Sequence, residues 1–299
     1  MVDSIFDALK QPIRPPVCVR GVSNLGGFMP LFKQEKINTE ETPVLLYPPL
    51  IETIFELRWE IETDRDSPRM RDPSYPMMYG SLYERLKKDL PLIEDLPSTQ
   101  AHPEATSFIP RHRMRKAKES YPLVQIGPGI ITVNESKSYS WKGFSSLVLR
   151  VIGCIEELFP SEILPLNFMK AELRYVNAVR FDLARENPLS FLHDKLHIRI
   201  EMDDGLFEKN RLNHRPNAVG LNIAYALEKP LGNLAISANL GQFEGKPALI
   251  QQTLVQSFGD LTPADHAGFA LWLEDAHITA ENVFQVFSRG ELMQRYLGG

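Results

Sequence analysis

Two long alternating stretches constrain this chain more than anything else in it. In residues 50–61, LIETIFELRWEI, the set Ile51, Thr53, Phe55, Leu57, Trp59 and Ile61 alternates with a second set holding Glu52, Glu56, Arg58 and Glu60. Residues 168–181, FMKAELRYVNAVRF, repeat the pattern, with Met169, Ala171, Leu173, Tyr175, Val179 and Phe181 set against Lys170, Glu172, Arg174 and Arg180. A period of two marks a strand with one oily and one wet face, and the oily face must be covered by another layer. Pro48 and Pro49 cannot join a central ladder, so they fix where the first strand begins.

The text between these strands supplies the cover. Leu82, Leu86 and Leu90 predict a helix over residues 79–90, with Pro91 ending it and Tyr75-Pro76 read as a turn. The β-prone runs 123–126 and 130–134 flank Gly127-Pro128-Gly129 and predict a hairpin. From Trp141 to Phe159 apolar residues recur at three-and-four spacing behind Ser138 or Ser140, which predicts a capped helix with a broad buried stripe. Strand, helix, hairpin, helix, strand is the order of a split βαβ, ferredoxin-like half, with an extra strand from residues 107–118. Its first and last strands would be antiparallel neighbours, bringing Glu52, Glu56 and Glu60 across from Lys170, Arg174 and Arg180.

Asn187 and Pro188 open a short helix through Leu196, and strands at 218–227, 234–243 and 248–258 read as an antiparallel meander. Thr262, Pro263 and Asp265 start one helix and Thr279 starts another. The fold class expected is α+β, a mainly antiparallel sheet packed by helices, with helices at the C-terminal end. Residues 46–185 form its first half and 186–299 its second, the two being able to share one domain. Residues 1–45 read as an arm: Ile5, Phe6 and Leu9 make one amphipathic turn, prolines stop it, and Leu25, Phe28, Met29, Leu31 and Phe32 form an apolar cluster richer than a solvated linker needs.

Composition narrows the class of function. With 33 basic and 38 acidic residues the net charge of −5 is too near balance to mark a dedicated nucleic-acid binder. Two cysteines, Cys18 and Cys154, make neither a four-thiolate zinc site nor a disulfide framework. No secretory signal or membrane span is read, so a cytoplasmic protein without a membrane partner is the expectation.

A search for chemistry yields little. There is no G-x-S-x-G; Gly241 to Lys246 has the wrong length for a phosphate loop and is followed by Pro247; Gly127-Pro128-Gly129 joins two strands with no helix behind it. His193 and His197 share a helical face, but the zincin pattern wants Glu where Asp194 stands. No catalytic residue, metal or cofactor is assigned. The basic run Arg111, His112, Arg113, Arg115, Lys116 and Lys118 would place its arginines along one face of a strand, either as a ladder for a nucleic-acid backbone, with His112 as an acid or base, or as charged protection of a sheet edge. Trp59, Trp141 and Tyr175 could line an apolar cup or simply fill the core.

The segments PPLIETIFELRW, LVQIGPGIITVNE and LRYVNAV, with Trp141, resemble a sparsely and sporadically distributed family of uncharacterised prokaryotic proteins over residues 46–290. The resemblance implies an accessory role, in defence or in a toxin-antitoxin-like pairing, and carries no catalytic residues. The expectation is therefore a non-catalytic binding or regulatory protein. It would engage a protein partner, or a second copy of itself, through Phe6, Leu9, Phe28, Leu31 and Phe32 of the arm or through a sheet edge. The alternative is a metal-independent nucleic-acid-binding or RNA-processing protein using Arg111, Arg113, Arg115, Lys116 and Lys118.

Overall fold

In the computed structural model the described residues are 45–63, 70–136, 138–162, 165–182 and 184–299. The arm residues Phe6, Leu9, Phe28, Leu31 and Phe32 lie outside the described residues.

Strand β1 (Leu50–Trp59) is followed by a two-residue ladder of β2 (Glu62–Thr63) with β3 (Met70–Arg71), and then by helix α1 (Tyr75–Leu86). Next come β4 (Leu92–Asp95), two short 3-10 turns at Pro97–Gln100 and Pro103–Thr106, β5 (His112–Arg115), β6 (Leu123–Gly127), β7 (Ile130–Glu135), α2 (Trp141–Leu158) and β8 (Phe168–Arg180). The second half runs α3 (Pro188–Leu196), α4 (Asp204–Asn210), β9 (Gly220–Glu228), β10 (Leu231–Phe243), β11 (Lys246–Phe258), α5 (His266–Ser288) and α6 (Glu291–Leu297).

Nine of these strands join in one sheet, in the order β4-β5-β6-β7-β1-β8-β11-β10-β9, and every neighbouring pair is antiparallel. The expected pairing of the two alternating strands is present, with Phe55 opposite Leu173 and Leu57 opposite Ala171. Their oily face, together with Val124, Ile126, Ile131 and Val133, packs against Met78, Leu82 and Leu86 of α1, Phe144, Val148, Val151, Ile152 and Ile155 of α2, and Phe269, Trp272 and Leu273 of α5. Helices therefore cover one face in a row, and edge-on aromatic contacts such as Phe168 to Phe269 at 5.1 Å hold α5 to β8. A smaller cluster of Val176, Ala178, Ala248 and Ile250 forms where β8 meets β11.

Several elements differ from expectation, among them the β2–β3 ladder, α4 and α6, which the sequence reading left out. Helix α1 begins a turn earlier than residue 79, because Pro76 sits in the first turn, where no amide is needed, and the Asp72 carboxylate accepts from the amides of Ser74 (3.0 Å) and Tyr75 (3.1 Å). Residues 92–95 form a strand that the sequence reading left out. One 23-residue helix, α5, replaces the two expected, since the Thr279 hydroxyl donates to the Asp275 carbonyl at 2.9 Å instead of capping a new start.

Asp72 ties this corner together. Its buried carboxylate also accepts from Trp59 Nε1 (3.2 Å), the Ser74 hydroxyl and the amide of Gly129 (2.7 Å). Gly129 turns the β6–β7 hairpin at φ +72°, and a side chain there would drive into the Phe108 ring. Asp72→Ala strands several buried donors at once and should lower the unfolding free energy by about 3 kcal/mol or more, measured by denaturant titration, while Asp72→Asn should cost less.

Candidate interaction surface

The sheet face away from the helices carries an internally paired charge network along β1 and β8, beside the small apolar cluster of Val176, Ala178, Ala248 and Ile250. Glu56 accepts from Arg58 (2.8 Å) and Lys170 (2.9 Å), Lys170 also reaches Glu172 (2.5 Å), and Glu172 accepts from Arg174. Burial pushes the Glu172 carboxyl up, but the Arg174 and Lys170 charges outweigh it and hold the group well below the usual carboxylate range. The expected cross-strand charge balance is thus realised at Glu56 and Lys170. Arg174 instead pairs within its own strand, Arg180 reaches Glu244 (2.8 Å), and Glu60 lies beyond the end of β1, exposed. Glu52 faces neutral partners, accepting from Asn134 (2.8 Å) and Tyr121 (3.4 Å), and burial pushes its carboxyl above the ordinary value.

The basic run is divided by this arrangement. Arg111 is 7% exposed, and its guanidinium donates to the carbonyls of Ser98, Thr99 and Ala101 and to the Thr106 hydroxyl at 2.7–3.0 Å, stapling the loop of 3-10 turns. Arg115 is buried against Glu94 of β4 at 2.6 Å, and Arg113 donates to Gln125 at 3.3 Å. Lys116 and Lys118 are exposed in the following turn. Neither reading of the run is realised: β5 lies between β4 and β6 and so is not a sheet edge, and no linear ladder of free cations forms, because the unforeseen strand β4 brings Glu94 to Arg115 and loop carbonyls take Arg111. His112 lies on the helix-covered face, with Nδ1 at 2.9 Å from Asp95 and its ring stacked on Tyr79.

Other candidates are also spent on structure. Trp59 is fully buried beside Phe159 and Asp72. His193 pairs with Asp194, whereas His197, in the left-handed cap of α3, turns to the Arg289 carbonyl at 3.1 Å. No group of three or more metal-capable side chains occurs among the described residues. A cleft of about 450 Å³ is lined by Arg180, Phe181, Lys195, Lys246, Glu291 and Arg295, among others, and Lys195 is already paired with Glu291 there.

A buried relay joins the remaining aromatics. The Tyr139 hydroxyl meets that of Tyr175 at 2.8 Å, Tyr175 meets His277 Nδ1 at 2.8 Å, and Trp141 stacks on the His277 ring while donating Nε1 to Glu274 at 3.0 Å. Burial lowers the His277 pKa from 6.5 to about 4, so the neutral ring can accept a hydrogen bond at Nδ1 from the Tyr175 hydroxyl. These groups link α2, β8 and α5, with Trp141 and Tyr175 both engaged by His277.

Among the described residues an edge stays open, and the two ends of the sheet differ sharply. The β4 end is four residues long and carries Glu94 and Asp95, a short, charged edge of the kind that resists further pairing. The β9 end runs nine residues, GLNIAYALE, with Glu228 as its only charge. The Leu240 amide donates to the Val219 carbonyl, and the ladder continues without a break from Gly220–Asn239 to Glu228–Leu231. By antiparallel alternation the amides and carbonyls of Gly220, Asn222, Ala224, Ala226 and Glu228 therefore point away from β10, at the free edge. Ile223 and Tyr225 beside them are 37% and 53% exposed. Sequence reading found this strand but not its terminal place in the sheet; the absence of charge before Glu228 was the available signal.

No family model matches the chain, and no curated protein matches it. Among the described residues no helix is long and apolar enough to cross a membrane.

The relay makes a pH prediction. Because the folded state disfavours the protonated ring, His277 contributes fully above pH 6.5, and its contribution falls as the pH drops from 6.5 through about 4. The loss should reach about 3 kcal/mol. Denaturant titrations across that window should show a slope that His277→Gln flattens.

Proposed function

We propose that this chain is a non-catalytic binding or regulatory protein that engages a protein partner by strand addition along β9. The observation that carries the reading is the contrast between the two edges: β4 is short and acidic, whereas β9 offers a full row of outward amides and carbonyls with almost no charge. Main-chain hydrogen bonds along such an edge supply affinity, and pockets beside alternate side chains supply selectivity. The reading is favoured over catalysis because, among the described residues, His112, His197 and His277 and the arginines Arg111 and Arg115 are engaged with neighbouring structural groups.

The finer fold reading belongs to the same proposal. The order β8-β1-β7-β6, with α1 and α2 on one face, supports reading this part as a split βαβ, ferredoxin-like half with β4 and β5 inserted between α1 and β6. On that reading β9, β10 and β11 extend the half outward from β8 and carry the binding edge.

Ala224→Pro tests the reading, since it deletes one outward amide while leaving intact the bonds that flanking residues make to β10. Tagged wild-type chain should retain a protein in fixed stoichiometry from its native lysate, and Ala224→Pro should lose it at least tenfold. Equal retention by both chains, or retention of neither a second copy nor another protein, defeats strand addition along β9.

A further inference from the structure

We infer that the β9 edge takes a second copy of this chain, antiparallel about a two-fold axis at Ala224, so that the two nine-stranded sheets continue as one. The inference rests on the strand-addition reading and adds to it the occupant and the register.

The strand is its own complement. With the axis at Ala224, Gly220 faces Glu228, Leu221 faces Leu227, Asn222 faces Ala226 and Ile223 faces Tyr225 of the other copy. This register gives every residue of β9 a counterpart; sliding the axis to Tyr225 leaves Gly220 and Leu221 opposite residues outside the strand. The outward-directed residues Gly220, Asn222, Ala224, Ala226 and Glu228 meet one another, so each free amide finds a free carbonyl. On the helix-covered side, set by Tyr225 opposite Leu234 and Ile223 opposite Ile236, an aromatic side chain meets a β-branched one twice across the axis.

The opposite side is equally permissive. Ala224 sits on the axis, where a larger residue would meet its own copy, and Asn222 meets the small Ala226. Glu228, the one charged residue, faces Gly220, so no pair of like charges is formed. Such a contact is isologous and closes at two copies, whereas joining β9 to β4 of another copy would place Glu94 and Asp95 in the contact and build an open chain. The burial now missing from Ile223 and Tyr225 is what a second β9 supplies.

Sedimentation equilibrium over a concentration series, with site-directed crosslinking, tests this. Wild-type chain should approach twice its 34.0 kDa mass, and Ala224→Pro should remain at that mass. In a Cys18→Ser background, Ala224→Cys should oxidise to a covalent dimer, since a hydrogen-bonded antiparallel pair sets its Cα atoms about 5.5 Å apart, within disulfide reach. Asn222→Cys should not crosslink alone, and adding Ala226→Cys should restore the product. Ala224→Cys kept reduced should dimerise like wild type, which guards against an Ala224→Pro chain that fails to fold. Wild-type chain that stays monomeric overturns the second copy; if a lysate protein is then lost on Ala224→Pro, strand addition survives with another occupant. A dimer that persists in folded Ala224→Pro without the Ala224→Cys crosslink places the contact elsewhere and overturns the inference.

Discussion

Strand β8 is the element on which the rest of the molecule hangs. It pairs with β1 along one side and with β11 along the other, so among the described residues it is the strand through which the two halves share one sheet. Its alternation also settles both faces. Ala171 and Leu173 go into the helix-covered core, and Lys170, Glu172 and Arg174 go to the polar side. A slip of one residue against either neighbour would drive Glu172 toward Phe269 and bring Leu173 out among the charges. Large apolar side chains buried on the core face contribute about 1.5–3 kcal/mol each. The buried ion network on the other face contributes less net energy but penalises every wrong register, because Glu172 stripped of its cations is an uncompensated buried charge. Packing thus gives this sheet its stability and pairing gives it a single alignment.

Much of that architecture is legible in the sequence because it follows from local periodicity. The alternation around Phe55 and Leu173, the Asn187 and Ser140 caps and the glycine turn at Gly127-Pro128-Gly129 all record short-range physics, and the structure places each where that physics points. The misses share a different cause. Leu92–Asp95 is too short and too acidic to show a period, and it becomes a strand because β5 is there to pair with it. Thr279 looks like a cap until one sees that packing on both sides of it favours an unbroken α5. Asp72, the centre of the α1 corner, has no pattern at all; its importance lies in donors that arrive from Trp59 and Gly129.

The candidate site divides in the same way. Arg111, Arg113 and Arg115 have the spacing of a ladder, and spacing is all that a sequence shows. Their availability depends on the carbonyls of Ser98, Thr99 and Ala101 and on Glu94, none of which is linked to them by any local rule. Burial in a fold that lacks an alternative solvent forces each guanidinium to find acceptors, so a cationic run inside a closed loop turns inward. The edge strand β9 is the reverse case: its sequence is bland, and it acquires meaning only from its position.

That position has a cost that must be met somewhere. A free edge of nine residues with scarcely any charge is a template for uncontrolled pairing, and open sheets of this width gain nothing by stopping at an uncharged strand. The opposite edge shows that the chain has the usual remedy at hand, since β4 is cut to four residues and armed with Glu94 and Asp95. Within β9 the glycine, the alanines and the lone terminal glutamate keep the outer row of amides unobstructed while Leu221, Ile223 and Tyr225 hold the pleat. Charge was therefore withheld from this edge while the helix-covered core was being completed next to it, and the combination is coherent when the exposed strand is an unfinished part of a larger sheet. An isologous contact finishes it at the lowest structural cost, because one surface then answers for both sides of the interface and leaves no further edge of the same kind.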